Sequence, residues 1–166
     1  IDNDRTTLPE KDTVNDVILH VSQLNEPGFQ EGSVFTDTTL SAGGRHTCVI
    51  LDNGSVSCWG LGSNGQLGGP TSDRTTPTLT SSLGPGRTAV ALSSGTYHTC
   101  AILDNGDVSC WGWGYYGQLG NGGTSQQNTP TLTSSLGTGR TAVAISSGYS
   151  HTCLLYTSPS PRDLDL

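Results

Sequence analysis

Three His-x-Cys pairs, His46/Cys48, His98/Cys100 and His151/Cys153, stand out with Cys58 and Cys110 as residues whose types and spacing could do chemistry. Imidazole and thiolate ligate zinc, and paired thiols close disulfides. A zinc site gathers four ligands, often with cysteines two to four residues apart, and no single pair here supplies that set. Successive pairs also fall in different copies of a repeat, which would set them well apart. The histidines are therefore read as structural: each is expected at a strand start after a glycine turn, hydrogen-bonded to backbone nearby. No metal or other cofactor is expected.

The cysteines have a clearer use. Cys48 and Cys58 are ten residues apart, as are Cys100 and Cys110, and each pair flanks an Asp-Asn-Gly triplet. Asn and Gly tolerate positive φ, so this triplet is a hairpin signal. If the loop is the three residues Asp104, Asn105 and Gly106, Leu103 faces Asp107 and Cys100 faces Cys110; the same count sets Cys48 opposite Cys58. Directly opposed Cβ atoms lie about 4.5–5.5 Å apart, near disulfide range. A two-residue turn would shift the pairing by one and leave the cysteines diagonal. The competing reading is that a small buried Cys simply packs well in a strand. Cys153 is the odd one, because its partner would stand where the chain has Asp163. Repeated pairs point to an oxidising compartment, hence an extracellular or cell-surface location; free thiols would point to the cytoplasm or nucleus.

Catalysis finds little support. There is no Gly-x-Ser-x-Gly elbow, and the only acids recurring in phase are Asp52 and Asp104, which belong to the hairpin turns. Gly62, Gly65, Gly112 and Gly114 form no phosphate loop, since no Lys-Ser/Thr follows. An enzyme is not expected. The net charge of −7 disfavours a nucleic-acid partner, whose phosphates call for clustered Lys and Arg. No apolar run approaches the roughly 18 residues of a membrane span.

What positions these residues is a repeat. HTCVILDNGSVSCWGLGSNGQLG from His46 returns as HTCAILDNGDVSCWGWGYYGQLG from His98, and a third copy opens at His151. His46 to His98 is 52 residues and His98 to His151 is 53. The added residue falls between Leu119 and Pro130, in a Gly/Asn/Gln loop that tolerates insertion. Units of this length bury their apolar face only by stacking on neighbours. Each divides into four strand-like pieces: Thr88 onward, His98–Leu103, Val108–Trp111, and a short one around Pro130 to Leu132 (Pro77 to Leu79 in the earlier copy). Proline suits an edge strand there. With 23 glycines and 13% charged residues, the composition fits short strands and tight turns. The expected fold is all-β: a partial β-propeller of four-stranded antiparallel blades, each about 52 residues.

Three regions are expected. Residues 1–35 hold seven of the 14 acidic residues, with Asp37 just beyond, and read as a linker or the end of an upstream region; Val14 to Leu24 is strand or helix there. Residues 36–152 carry the repeats, beginning where Thr36 to Ser41 aligns with Thr88 to Ser93. Residues 153–166 depart from the repeat as LLYTSPSPRD and resemble the translation of a sequencing adapter, so they are set aside. Two units and part of a third cannot close a ring, whose lower limit is about four blades. The chain is accordingly expected to be a piece of a longer product, with an exposed inter-blade face that makes it prone to associate.

The patterns SGxxHTCAILDNG, CWG and GQLG resemble the repeat of the regulator of chromosome condensation family over about Thr36 to Thr152. The resemblance implies blades of a seven-bladed propeller and, by analogy with founding members, nucleotide exchange on a small GTPase such as Ran. A kelch blade would show a Gly-Gly doublet in phase, and a WD repeat would show Trp-Asp; neither does. Trp59 and Trp111 recur in phase and are expected to pack between strands or blades. Gln66 and Gln118 are expected to satisfy turn backbone groups. Trp113, Tyr115 and Tyr116 replace Leu61, Ser63 and Asn64 of the earlier copy, so the repeat does not demand them. Exposed Tyr and Trp suit binding hot spots, making this loop the interaction candidate. The leading expectation is a non-catalytic module of a secreted or surface-displayed protein, binding a protein partner through its loops. The alternatives are the exchange factor and an inhibitor of a secreted enzyme.

Overall fold

The computed structural model describes residues 39–157, which belong to one compact unit. The expected linker at 1–35, the repeat start at Thr36 and the tail from 158 lie outside the described residues.

Among the described residues every regular element is a strand. The first blade holds β1 (Leu40–Ala42), β2 (His46–Ile50), β3 (Val56–Gly60) and β4 (Arg74–Leu79), in spatial order β1-β2-β3-β4. The second repeats it with β5 (Ala89–Ser94), β6 (His98–Leu103), β7 (Val108–Gly112) and β8 (Gln127–Leu132), in order β5-β6-β7-β8. A third sheet pairs only β9 (Ala142–Ser147) with β10 (Thr152–Tyr156). All pairings are antiparallel. Pro77 and Pro130 sit in β4 and β8, the outer strands, where a missing N–H breaks no inner ladder.

The hairpin register follows from the three-residue turn. Leu103 N–H donates to Asp107 O at 2.8 Å, Gly106 N–H closes the turn onto Leu103 O at 2.9 Å, and Gly106 has φ 81°. The first blade repeats this with Leu51, Ser55 and Gly54. Side chains at Gly54 or Gly106 would also strike Thr88 or Thr141 of the following blade. The turn is thus part of the contact between blades as well as the corner of a hairpin.

Because alternate strand residues face opposite sides, each blade offers one layer to its predecessor and another to its successor. In the second blade Ala101, Leu103 and Trp111 join Cys48, Val56, Cys58 and Leu67 of the first in one core. Cys100, Ile102, Val108 and Cys110 face the other way, toward Ala142, Ile145 and Leu154. Leu154 to Tyr156, set outside the repeat on sequence grounds, complete β10: Leu154 lies opposite Ile145 and Leu155 opposite Ala144. The run Thr-Cys-Leu-Leu-Tyr from Thr152 has the β-favouring and apolar residues to continue the strand.

Candidate functional site

The cysteines stand directly opposed, Cys48 to Cys58 and Cys100 to Cys110, with Cα separations of 4.2 and 4.1 Å and sulfurs at disulfide distance. The three-residue turn sets this register. Cys153 is exposed and unpaired.

Each histidine bonds to nearby backbone through its own carbonyl, which accepts the N–H of Gly43, Gly95 or Gly148 at 2.8–2.9 Å. The rings of His46 and His98 cross to the next blade. His46 Nε2 lies 2.8 Å from Thr99 Oγ1, and His98 Nε2 lies 2.9 Å from Thr152 Oγ1. The two threonine hydroxyls donate back to Gln66 O at 3.0 Å and Gln118 O at 2.9 Å. A hydroxyl has one proton, and here it goes to the glutamine carbonyl. Each histidine must therefore be the donor, neutral and protonated on Nε2. Its Nδ1 is buried with no partner. Protonating that nitrogen would place a charge in a buried site, which burial disfavours. Burial, followed by the His98 ring, lowers the His46 pKa to about 4. Burial, then the His151 ring, lowers His98 to about 4 against a partly opposing His151 backbone bond.

The glycine before each histidine is explained by the same ring. A Cβ at Gly43, Gly95 or Gly148 would overlap the imidazole of His46, His98 or His151. Only glycine leaves that space.

Trp111 completes the first joint: it is 0% exposed and donates its indole N–H to Gln66 O at 2.9 Å. Trp59, in the same register of the first blade, is only half-buried. The side-chain oxygens of Gln66 and Gln118 accept backbone N–H groups of Asn64 and Tyr116, each at 2.9 Å. The two glutamines thus brace their loops from within and offer a backbone carbonyl to the following blade. In the His46/Cys48 and His98/Cys100 pairs Nε2 and the sulfur are already engaged, and the described residues contain no cluster of three metal-ligating side chains.

The aromatic loop is separate from the joint. Tyr115 and Tyr116 are 65% and 69% exposed, Tyr115 lies 6.2 Å from Trp113, and the two tyrosine rings meet edge-on at 5.3 Å. The loop backbone beneath them is fixed: Gly117 N–H bonds Gly114 O at 2.8 Å, and Trp113 N–H bonds Tyr97 O at 2.8 Å. The result is a braced, exposed aromatic cluster.

Two groups of positions in the joint were not singled out from sequence. One is the threonine of the second and third His-Thr-Cys, Thr99 and Thr152; its signal was recurrence in phase. The other is the Ser41 and Ser93 pair, whose hydroxyls accept the N–H of Ser94 and Ser147 at 2.8 Å across the same joints.

Stacked four-stranded antiparallel blades, joined by phased bonds, define a β-propeller repeat module. The regulator of chromosome condensation (RCC1) repeat matches residues 53–102 and 105–155, and a second pattern of that repeat matches 38–66 and 89–118, so the chain belongs to this family. It is 40% identical over 114 residues to the ultraviolet-B receptor UVR8 of Arabidopsis thaliana, covering 68% of this chain and 26% of the receptor. Human E3 ubiquitin-protein ligase HERC2 is 38% identical over 95 residues, covering 56% of this chain and 2% of the ligase. Among solved structures, Prp20p of Saccharomyces cerevisiae superposes with TM-score 0.65 at 19% identity, covering 75% of this chain and 32% of that one. Human WBSCR16 superposes with TM-score 0.61 at 25% identity, covering 72% and 31%. The chain thus spans about a quarter of the receptor and a fiftieth of the ligase. No helix among the described residues is long and apolar enough to cross a membrane.

Proposed function

We propose that this chain is a non-catalytic interaction module of a secreted or surface-displayed protein, contacting a protein partner through the loop of Trp113, Tyr115 and Tyr116. The braced aromatic cluster carries the reading. Large rings held over a fixed backbone lose little entropy on binding and match the composition of hot spots. The equivalent loop of the first blade has Leu61, Ser63 and Asn64, so the rings are not required by the fold. The extracellular setting rests on the two cysteine pairs, which an oxidising compartment would keep closed.

The exchange-factor reading has one specific support: the neighbour Prp20p has been described for its binding to Gsp1p and histones. The chain's net charge of −7 weighs against the histone-and-chromatin half only where DNA is contacted. An inhibitor of a secreted enzyme remains the third reading and shares the aromatic contact surface.

The test is a paired one. Chain carrying Tyr115→Ser and Tyr116→Ser should lose partner cross-links that the unaltered chain forms, while its far-ultraviolet spectrum stays unchanged. Mass spectrometry after alkylation of non-reduced protein should find only Cys153 modified. Five alkylated cysteines, with nucleotide release from a Ran-type GTPase, would replace this reading by the exchange factor.

A further inference from the structure

The hairpin turns of the two blades share one backbone course and differ in a single side chain. In each, the asparagine Oδ1 accepts the N–H two residues on: Ser55 N–H reaches Asn53 at 3.0 Å, and Asp107 N–H reaches Asn105 at 3.1 Å. In the second blade the other end of the amide is held too, Asn105 Nδ2 donating to Asp107 Oδ2 at 2.7 Å. The first blade has Ser55 in place of that acid, and the Asn53 Nδ2 makes no bond among the described residues. The same serine completes Asn53-Gly54-Ser55, the only Asn-x-Ser/Thr triplet in the sequence. Asn53 is exposed. So is Asn105, which has strands of another blade on either side of its own. The exposure therefore belongs to the turn and does not depend on which blades flank it.

We propose that Asn53 is an acceptor for N-linked glycosylation, an inference that rests on the extracellular reading above. The donor class is a lipid-diphosphate-linked oligosaccharide. Asn53 Nδ2 attacks the anomeric carbon of its first sugar; the carbon–oxygen bond to the diphosphate breaks, a carbon–nitrogen bond forms, one proton leaves Nδ2 and the lipid diphosphate departs. The turn suits this in two ways. The N–H of Ser55 on Oδ1 polarises the amide and leaves Nδ2 as its free end, and the finished turn gives a bulky sugar open solvent. The placement also agrees with the contact loop. β3 and β7 each run five residues, about 17 Å, from the hairpin turn to the loop that follows. The His46–Thr99 bond holds the blades in phase, so the turns gather at one end of the strands and the loops at the other. A glycan on Asn53 therefore stands at the end away from Trp113, Tyr115 and Tyr116 and leaves them clear.

The test is translation of the full chain, behind a cleavable export leader, into microsomal vesicles that hold the transferase and its lipid-linked donor. The expected result is a single upward step in mass that a peptide N-glycanase removes, leaving aspartate at position 53. Asn53→Gln and Ser55→Ala should each lose the step. Asp107→Ser should add a second one, because it supplies the missing hydroxyl and releases the Asn105 Nδ2. The glycosylated chain should still alkylate only at Cys153, since the sugar sits on an exposed corner of the closed hairpin. Chain that carries no glycan while its two cysteine pairs are closed would overturn the proposal and leave the extracellular reading standing. A step that survives Asn53→Gln, or a glycosylated chain with Cys48 and Cys58 open, would overturn it as well. Five open cysteines in protein from its own source, alongside transfer in vesicles, would instead remove the extracellular reading and the native modification with it.

Discussion

The joint between the first and second blades and the joint beyond the second share every part but one. Both have a buried neutral histidine, a threonine hydroxyl passing its proton to a glutamine carbonyl, and a serine hydroxyl receiving a backbone N–H. Only the first has an indole. There Leu67 and Trp111 are buried together, while beyond the second blade Leu136 and Leu154 are only partly covered. Polar bonds therefore align the blades in both places, and the aromatic residue excludes water in one. Alignment and burial are separable tasks in this repeat.

The largest effect should come from removing that indole. Trp111→Ala leaves a cavity and a carbonyl short of one donor, and should destabilise by about 3–5 kcal/mol. Trp59→Ala, in the same register but half-buried, should cost about 1 kcal/mol. Urea unfolding of the two variants checks the difference, and equal losses would break the comparison.

Acid should act on both joints alike. An unfolded histidine titrates near 6.5, and the fold holds His46 and His98 at about 4. The fold prefers the neutral form, so their contribution is fully present above pH 6.5 and is lost as pH falls toward 4. Each shift is equivalent to roughly 3 kcal/mol at most. Unfolding free energies measured across that window should fall, and His46→Gln, which keeps an N–H donor but does not titrate, should flatten the slope.

The smallest effect separates the threonines. Thr99→Val strands the His46 N–H in a fully buried place and should cost about 2 kcal/mol. Thr152→Val, at a partly exposed position where water replaces the bond, should cost under about 1 kcal/mol. Denaturation midpoints of the two single variants decide it.

Much of this architecture was legible because the chain states it twice. The Asp-Asn-Gly turn marked the hairpin and narrowed its register to two, and the three-residue form found here sets Cys100 opposite Cys110. Proline marked the outer strands. The joint was not legible in the same way. The partner of His46 lies 53 residues away on another sheet, so nothing local distinguishes a ring bonded to Thr99 from one bonded to its own turn. The glycines before each histidine looked like turn formers, whereas the imidazole lying on them is what excludes a side chain. The loop of Trp113, Tyr115 and Tyr116 stands out in the sequence for the opposite reason: it breaks the repeat, so the fold does not require its rings.

The direction of the hydrogen bonds has a further consequence. The second blade presents a histidine donor and a glutamine carbonyl on one side, and a threonine and a tryptophan on the other. Those sides are unlike, so two chains cannot join face to face through one shared surface. Any assembly made with this joint is heterologous, head to tail, and must either close into a ring or grow as an open filament. A two-fold dimer would have to be made from some other part of the molecule.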